Sequence, residues 1–314
     1  MKKVFCVGEL LIDFVAEKQG NDLSKASLFT KKAGGAPANV ACAISKLGGK
    51  GSFIGCVGND PFGNFLSRIL EDINVDISLL QRSDMFTTLA FVSLAEDGER
   101  DFVFSRGADQ ELTYDISVKN LIENNMLHLG AATSFLGGTL ENTYSRYFFD
   151  ALTHNTFISF DPNYRGDLWK GNDDAFIKKC TPFIEKAHLC KFSAEEAQLL
   201  SGKKDLNEAC DYLHEIGTRI ITITLGGDGT LLSTKNGKRI IPSINVKPVD
   251  TTGAGDAFIG CLLYQISKLD DINSIYENYE ALADMVKFAN KAGAITTTNY
   301  GAIESLPTLK QLQA

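Results

Sequence analysis

Strand-like and helix-like segments alternate regularly over the second half of the chain, and this alternation limits the fold more than any other feature. From residue 126 onward, short apolar or β-branched runs are each followed by a stretch with apolar residues at helical spacing. Strands that alternate with helices form a parallel sheet covered by helices on both faces, so the sequence predicts an α/β fold. The expected strands are Met126–Leu129, Thr156–Phe160, Ala187–Phe192 and Arg219–Thr224, and the expected helices are Leu140–Leu152, Ala194–Leu200, Leu206–Ile216 and Ala281–Ala294.

The start of the chain predicts a first buried strand at Val4–Val7 and excludes a dinucleotide-binding turn. That turn would need Gly-x-Gly-x-x-Gly directly after the strand, and the sequence has Gly8-Glu9-Leu10-Leu11-Ile12-Asp13 instead. We expect Asp13 just past the carboxyl end of this strand, at the edge where ligands bind in open α/β sheets. A solvated loop carboxylate is the other interpretation of the same residue.

Two hairpins are expected beside the alternating elements. Leu89–Leu94 and Asp101–Phe104 flank Asp97-Gly98, and a second pair of short strands, 230–234 and 239–241, flanks Asn236-Gly237. The first hairpin does not fit an alternating α/β pattern, which suggests a small lid.

Composition excludes several classes of protein. The 314 residues are 44% hydrophobic and 22% charged with a net charge of −8, so a basic surface for nucleic acid is not expected. Seven dispersed cysteines without a Cys-x-x-Cys pair indicate reduced thiols and a cytoplasmic protein. The sequence has no run of about 18 apolar residues, so we expect no membrane-spanning helix. Without repeats or a linker, we expect one domain over residues 1–314.

Two glycine-rich turns, each opening a helix, are the candidate binding elements. In Gly34-Gly35-Ala36-Pro37-Ala38-Asn39 the glycines allow a ligand close to the backbone, and Asn39 can both donate and accept, which suits a polyol hydroxyl. A tight loop with a helix cap fits this motif equally well. In Asp250-Thr251-Thr252-Gly253-Ala254-Gly255-Asp256 the helix N-terminus suits an anion such as phosphate. Asp256 there is either a helix cap or a base beside a phosphoryl group.

Together these pieces resemble the ribokinase-like sugar kinases, or phosphofructokinase-B family, over essentially the whole chain. The Gly34–Asn39 motif with Leu47-Gly48-Gly49 is similar to the N-terminal signature of the family, and Asp250–Phe258 is similar to its C-terminal signature. Within the family the chain is most similar to the fructokinases, through residues 8–14, 87–92 and 97–102. The resemblance implies a three-layer α/β/α fold with a mostly parallel central sheet and a small β-lid formed by segments 14–33 and 87–106.

The resemblance also implies phosphoryl transfer from ATP to a sugar hydroxyl. Asp256 would be the base, and Gly253, Ala254 and Gly255 would form an anion hole for the transferring phosphoryl group. Such a transfer depends on positioning and charge stabilisation. The positions implied for the sugar or the phosphoryl path are Asp13, Gly34, Gly35, Asn39, Arg106 and Arg165.

The nucleotide side of the site is implied in the same way. The positions are Lys191, Glu196, Thr224, Gly226, Gly229 and Asn290, the last in a stretch that borders adenine. The Asn-x-x-Glu motif through which the family organises Mg²⁺ reads Ser193-Ala194-Glu195-Glu196 here, so its asparagine is absent. A K⁺ site is implied at Asp250, Thr252, Gly301 and Ser305.

Fructose is the expected sugar, although 2-keto-3-deoxygluconate, ribose and a nucleoside stay open. The segment between Arg106 and Asp109 is shorter than in many fructokinases, which affects the sugar side. An inactive sugar or nucleotide sensor is a second class of function, but it would be expected to lose the base or the glycines, and both are intact. Lids of this kind often pair between subunits and cover their edge strands, so we expect a homodimer.

Overall fold

The structure, a computed structural model, describes residues 1–17, 22–94 and 100–314. In this part of the chain two sheets are present, one of nine strands and one of four. The strands are β1 (Lys3–Val7), β2 (Leu11–Ala16), β3 (Phe29–Gly34), β4 (Lys50–Gly58), β5 (Asp76–Ser83), β6 (Leu89–Leu94), β7 (Arg100–Ser105), β8 (Met126–Gly130), β9 (Phe157–Asp161), β10 (Leu189–Ser193), β11 (Ile220–Thr224), β12 (Thr230–Thr234) and β13 (Gly237–Ile241).

Helices cover both faces of the larger sheet. They are α1 (Ala36–Lys46), α2 (Pro61–Asp72), α3 (Val118–Ile122), α4 (Gly138–Thr153), α5 (Gly166–Trp169), α6 (Asp173–Lys186), α7 (Ala194–Ser201), α8 (Leu206–Glu215), α9 (Ala254–Ser267), α10 (Tyr279–Thr296), α11 (Ala302–Ser305) and α12 (Leu309–Gln313).

The larger sheet runs in the order β13-β12-β11-β10-β9-β8-β1-β4-β5. All neighbouring strands from β11 to β5 are parallel, and only β12 and β13 are antiparallel. One apolar core joins α1, α9 and α10 to the first face, and a second joins α4, α6, α7 and α8 to the other. This arrangement confirms the predicted three-layer α/β fold with a mostly parallel sheet.

The smaller sheet has the order β3-β2-β6-β7. A parallel pair, β2 with β6, lies between two antiparallel pairs. Aromatic rings fasten the sheet to α2: Phe14 stacks on Phe91 with ring centroids 5.3 Å apart and meets the edge of Phe62 at 5.8 Å. The strands lie in and beside the segments predicted for the lid, while the expected turn at Asp97-Gly98 lies outside the described residues.

The expected place of Asp13 is wrong. Asp13 does not follow β1 at the edge of the larger sheet but lies within β2 of the smaller sheet, opposite Lys32 and Ala90. The chain leaves β1 through Gly8, Glu9 and Leu10 and enters the second sheet at once.

Most predicted elements are present with boundaries shifted by one or two residues. The strand expected over 187–192 is β10 at Leu189–Ser193, and the second hairpin is β12 and β13. The edge strand β5 and the helix α6 were not predicted. All seven cysteines are buried and free. In the described part of the chain, no helix is long and apolar enough to cross a membrane.

Candidate active site

The N-terminus of α9 forms the centre of the site. Gly253 is the N-cap residue with a φ of 77°, a left-handed conformation that glycine adopts without strain. A Cβ atom at this position would lie 2.7 Å from the Cβ of Ala302, so the turn has room only for glycine. The first N–H groups of a helix have no partner within it and carry partial positive charge. The N-terminus of α9 therefore presents donors suited to an anion, and within the turn the N–H of Ala254 already donates to the carbonyl of Thr251 at 3.3 Å.

Asp256 lies in the first turn of α9 and is held by α1. Its Oδ2 accepts a hydrogen bond of 2.8 Å from Nδ2 of Asn39. Burial raises the pKa of the Asp256 carboxyl to about 6, while the bond from Asn39 and the positive charge of Lys191 act in the opposite direction. Asp256 is thus mainly ionised at neutral pH and has a pKa suited to accepting a proton.

Asn39 brings a second open polar atom to this centre. Its side chain is 5% exposed, and its Oδ1 has no hydrogen-bond partner among the described residues. A buried amide oxygen without a partner is costly unless water or a ligand supplies a donor. A sugar hydroxyl would be such a donor.

Gly34 and Gly35 allow the smaller sheet to approach α1. A Cβ atom on Gly34 would lie 2.0 Å from Oδ2 of Asp13, and one on Gly35 would lie 2.4 Å from the carbonyl oxygen of Glu9. Burial raises the pKa of Asp13 to about 7, partly offset by the positive charge of Arg165, and Asp256 contributes to the increase. Asp13, Gly34, Gly35 and Asn39 therefore lie together around one end of Asp256.

Lys191 lies on the other side of the anion-binding turn. Its Nζ is 3.0 Å from Oδ2 of Asp161 in a buried ion pair, and 3.1 Å from the position that a Cβ of Gly255 would occupy. Burial by itself lowers the pKa of Lys191, but the carboxylates of Asp161 and Glu196 outweigh it and the pKa is raised. Lys191 therefore keeps its positive charge beside the turn.

Sequence reasoning missed Asp161 as a member of the site. It ends β9, a buried strand, and its carboxylate fixes Lys191. The rule that ligands bind past the carboxyl ends of parallel strands would have found it. Asn163, two residues later, was also missed: it is 5% exposed, has a φ of 47°, and its Nδ2 has no partner among the described residues.

The carboxylate of Glu196 accepts hydrogen bonds from the backbone. Its two carboxylate oxygens accept from the N–H groups of Tyr164, at 2.8 Å, and Ser193, at 2.7 Å. Ser193 in turn caps α7 by accepting from the N–H of Glu196. The serine at the place of the family asparagine thus completes a capping box. Among residues 1–17, 22–94 and 100–314 no group of three His, Cys, Asp or Glu could hold a metal ion.

The loop after β11 carries two of the glycines predicted for the nucleotide. Gly226 and Gly229 have φ of 59° and 105°, and a Cβ on Gly229 would lie 2.1 Å from the carbonyl oxygen of Ile241. The hydroxyl of Thr224, at the end of β11, donates to the carbonyl of Phe192 at 3.2 Å.

Asn290 lies beneath this loop and is 5% exposed. It donates to the carbonyl oxygens of Ile241 and Pro242 and accepts from Thr230 at 2.6 Å. Its amide group thus ties α10 to the second hairpin.

The residues predicted for K⁺ are also close together. One oxygen of Asp250 accepts from the N–H and the hydroxyl of Thr252, and the other accepts from the N–H of Gly301 at 3.0 Å. Ser305 is 6% exposed and donates to the carbonyl of Tyr300. These residues lie close together and offer carboxylate, hydroxyl and carbonyl oxygens.

The two arginines predicted for the site differ in exposure and in how many hydrogen bonds their guanidinium groups make to the protein. Arg106 is bound to the buried Asp109 through Nε and Nη2 at 3.2 and 3.0 Å, and donates to the carbonyl of Leu136. Arg165 is exposed and donates to the carbonyl of Tyr164 at 3.2 Å, and its positive charge partly offsets the rise that burial causes in the pKa of Asp13 and of Asp256. Arg165 is therefore the better placed of the two for an anion near the base.

Three comparisons show which known proteins the chain is similar to. A family model described as "pfkB family carbohydrate kinase" matches residues 1–309. A probable fructokinase-2 of Arabidopsis thaliana is 39% identical over 309 residues, which cover 97% of this chain and 93% of that protein.

Two solved structures show the same fold. A double mutant of fructokinase from Vibrio cholerae O395, bound to fructose, ADP and a potassium ion, superposes with a TM-score of 0.85 at 31% identity, covering 100% of this chain and 97% of that one. An aminoimidazole riboside kinase from Salmonella enterica, with its riboside and an ATP analogue, has a TM-score of 0.83 at 30% identity and covers 99% and 98%.

Proposed function

Since the chain belongs to the pfkB family of carbohydrate kinases, and is thus a sugar phosphotransferase, we propose that it transfers the γ-phosphoryl group of ATP to the 6-hydroxyl of fructose. The observation that carries the proposal is the pair formed by Asp256 and Asn39, next to the anion-binding turn Gly253-Ala254-Gly255. The similarity to fructokinases over nearly the whole chain supports fructose as the acceptor.

The chemistry follows from the position of these groups. Asp256 takes the proton of the acceptor hydroxyl. The hydroxyl oxygen forms a bond to the γ-phosphorus as the bond between this phosphorus and the β-phosphate oxygen breaks and ADP leaves. The N–H groups of the turn and the ammonium of Lys191 bind the oxygens of the transferring group, where negative charge must be stabilised. Asp13 and Asn39 hold the sugar, so that its hydroxyl lies within hydrogen-bond reach of Asp256.

We assign the nucleotide to the side of Thr224, Gly226 and Gly229. Mg²⁺ would neutralise charge on the phosphates, which usually supply most of its ligands together with water. Glu196 fits a role through water or through the backbone, because both of its oxygens already accept N–H groups. K⁺ would be held by the loop of Asp250, Thr252, Gly301 and Ser305 and would stabilise the turn that follows it.

We further propose that the smaller sheet is the lid and that it pairs in a homodimer. The sheet carries exposed apolar side chains at Val15 (39% exposed) and Val103 (51%), and Leu28 nearby is 57% exposed. Strands β3 and β7 are its open edges, and pairing would cover them. Light scattering after gel filtration should give twice the 34.2 kDa chain mass, and a monomer at micromolar concentration would contradict the dimer.

A substrate panel at fixed ATP tests the acceptor. Fructose, 2-keto-3-deoxygluconate, ribose and a nucleoside are compared by kcat/KM, each with and without K⁺. We expect fructose to exceed each of the others at least tenfold. If ribose or 2-keto-3-deoxygluconate equals or exceeds fructose, the enzyme is a kinase of another sugar. If none is phosphorylated, the inactive sensor is the better description.

A further inference from the structure

The short helix α11 lies directly behind the anion-binding turn. Its first residue, Ala302, packs on Gly253: the Cβ and Cα of Ala302 would be 2.7 and 2.9 Å from a Cβ placed on Gly253. The residue before it, Gly301, donates its N–H to Asp250 at 3.0 Å. A shift of α11 would therefore be transmitted to the turn through Gly253.

A helix of four residues does not hold its own position. It forms too few internal hydrogen bonds to offset the loss of conformational freedom, and the carbonyl groups at its end have no partners within it. The N–H of Leu306 donates to the carbonyl of Ile303 at 3.4 Å, and the other donors to the C-terminal carbonyl groups come from outside this segment.

Lys46 supplies them. Its Nζ is 3.0 Å from the carbonyl oxygens of Ile303 and Leu306 and 3.4 Å from that of Glu304. One ammonium group has three donors, and these three carbonyls match that number. A positive charge is also favourable at the C-terminal end of a helix.

Lys46 is the last residue of α1, and the same helix carries Asn39 near its start. Asn39 holds Asp256 through a hydrogen bond of 2.8 Å. One rigid helix is thus connected to the catalytic turn in two ways, directly to the base at its N-terminal end and, through Lys46 and α11, to Gly253 at its C-terminal end.

We propose that Lys46 is a positioning residue for phosphoryl transfer, which holds α11 against Gly253 and so fixes the anion-binding turn relative to Asp256. The inference rests on the proposed roles of Asp256 and Gly253. The ammonium group of Lys46 donates to carbonyls of α11 and its C-cap residue and to none of the residues assigned to the sugar, so its loss is expected to lower kcat and to leave the KM of the sugar nearly unchanged.

Lys46→Met tests this, because methionine keeps much of the length of the side chain and removes the ammonium group. We expect kcat to fall at least tenfold, since a displacement of about 1 Å in a catalytic group costs about 10²-fold in rate. The KM of fructose should stay within twofold. Lys46→Arg keeps donors at this place and should restore most of the lost kcat.

Lys291→Met is the matched control. Lys291 also donates to a carbonyl near the C-terminus, that of Leu312 at 2.8 Å, but it lies on α10 and not on α11. We expect this variant to lower Tm and to keep kcat within twofold of wild type. An equal fall of kcat in the two methionine variants, or a Lys46→Met enzyme with wild-type kcat, would overturn the proposal.

A second variant covers the case in which Lys46→Met does not fold. Ala302→Gly removes only the methyl group that contacts Gly253, and should lower kcat about threefold or more with the sugar KM unchanged; wild-type kcat would overturn the proposal. Asp256→Asn is measured beside it. If Asp256→Asn is inactive while the Lys46 and Ala302 variants are fully active, only the positioning role fails; if Asp256→Asn retains wild-type kcat, the proposed mechanism itself fails.

Discussion

The two ends of the candidate active site differ in how far their polar side chains are already hydrogen-bonded to the protein. At the transfer centre Asp256 and Asp13 have raised pKa values, and Oδ1 of Asn39 has no partner in the described residues. At the nucleotide end both oxygens of Glu196 and the amide group of Asn290 are used by neighbouring protein groups. Under the proposed function, the first region would act through its side chains, and the second through the shape of its backbone.

This difference follows from what each region must recognise. A sugar hydroxyl has to lose a proton, which requires a carboxylate with a suitable pKa and open hydrogen-bonding atoms. A nucleotide is held mainly by backbone N–H groups and by glycines that allow close approach. Substitutions at the transfer centre should accordingly change kinetics, while those at the nucleotide end should change stability first.

Asp256→Asn is the strongest test of this distinction. Asparagine keeps an oxygen for Asn39 but cannot accept the proton, so kcat should fall by about 10²–10⁴-fold. The sugar KM should change by less than about threefold. Steady-state kinetics measure both quantities, and an unchanged kcat would remove Asp256 from the mechanism.

The same variant should be more stable than wild type at high pH. Because burial raises the pKa of Asp256 from 3.8 to about 6, the folded state binds more protons than the unfolded state between these values. Stability from this group is present below about pH 4 and is lost as pH rises through about 6. Asp256→Asn should therefore have a higher Tm than wild type at pH 8 and no such advantage at pH 4.

The transfer centre could be predicted in large part because its residues lie in two short motifs. Asp256, the glycines at 253 and 255 and Asn39 are each close in sequence to the turn that presents them. The structure adds a contact that the sequence does not show, the hydrogen bond from Asn39 to the Asp256 carboxylate, between residues 217 positions apart. The role of Asp256 as the base stays a prediction.

The sequence did not predict those elements whose apolar residues lack a clear strand or helix period. Strand β5, with the sequence DISLLQRS, is an edge strand with mixed exposure, so it lacks a clean alternation. Helix α6 contains Pro182, a residue that usually breaks a helix pattern. The place of Asp13 was wrong because a second sheet begins only three residues after β1, and local sequence does not say which sheet a strand joins.

Asp13→Ala gives the next largest kinetic effect. Removing a charged hydrogen-bonding group that holds the sugar is expected to cost about 1.5–3 kcal/mol, or about 10–150-fold in the KM of fructose. The KM of ATP should stay within twofold, which separates this end of the site from the other. Asp13→Asn, which retains hydrogen-bonding atoms, should lie between wild type and Asp13→Ala. An unchanged KM for the sugar in both variants would place the sugar elsewhere.

Asn290→Ala tests the nucleotide end. The substitution leaves the carbonyl of Ile241 and the hydroxyl of Thr230 without partners, at a cost of about 1–3 kcal/mol. We expect a lower midpoint in urea unfolding and a rise of less than threefold in the KM of ATP. A rise of more than tenfold without loss of stability would mean that Asn290 contacts adenine directly, and the contrast between the two ends would fail.

The pH profile of kcat/KM concerns both carboxylates at once and should show only a small change near neutral pH. The free enzyme has pKa values of about 6 for Asp256 and about 7 for Asp13. Asp256 must be ionised to accept a proton and Asp13 to bind the sugar as an anion, so activity declines as pH falls. Between pH 8 and pH 7 the loss should be about twofold, and below pH 6 it should steepen towards a hundredfold per unit, because two groups then take up protons. In Asp13→Asn only one group remains, and the decline should shift to about pH 6 with a tenfold slope. A profile that stays flat from pH 8 to pH 5 would show that neither carboxylate titrates in this range, and the raised pKa values could not then distinguish the transfer centre from the nucleotide end.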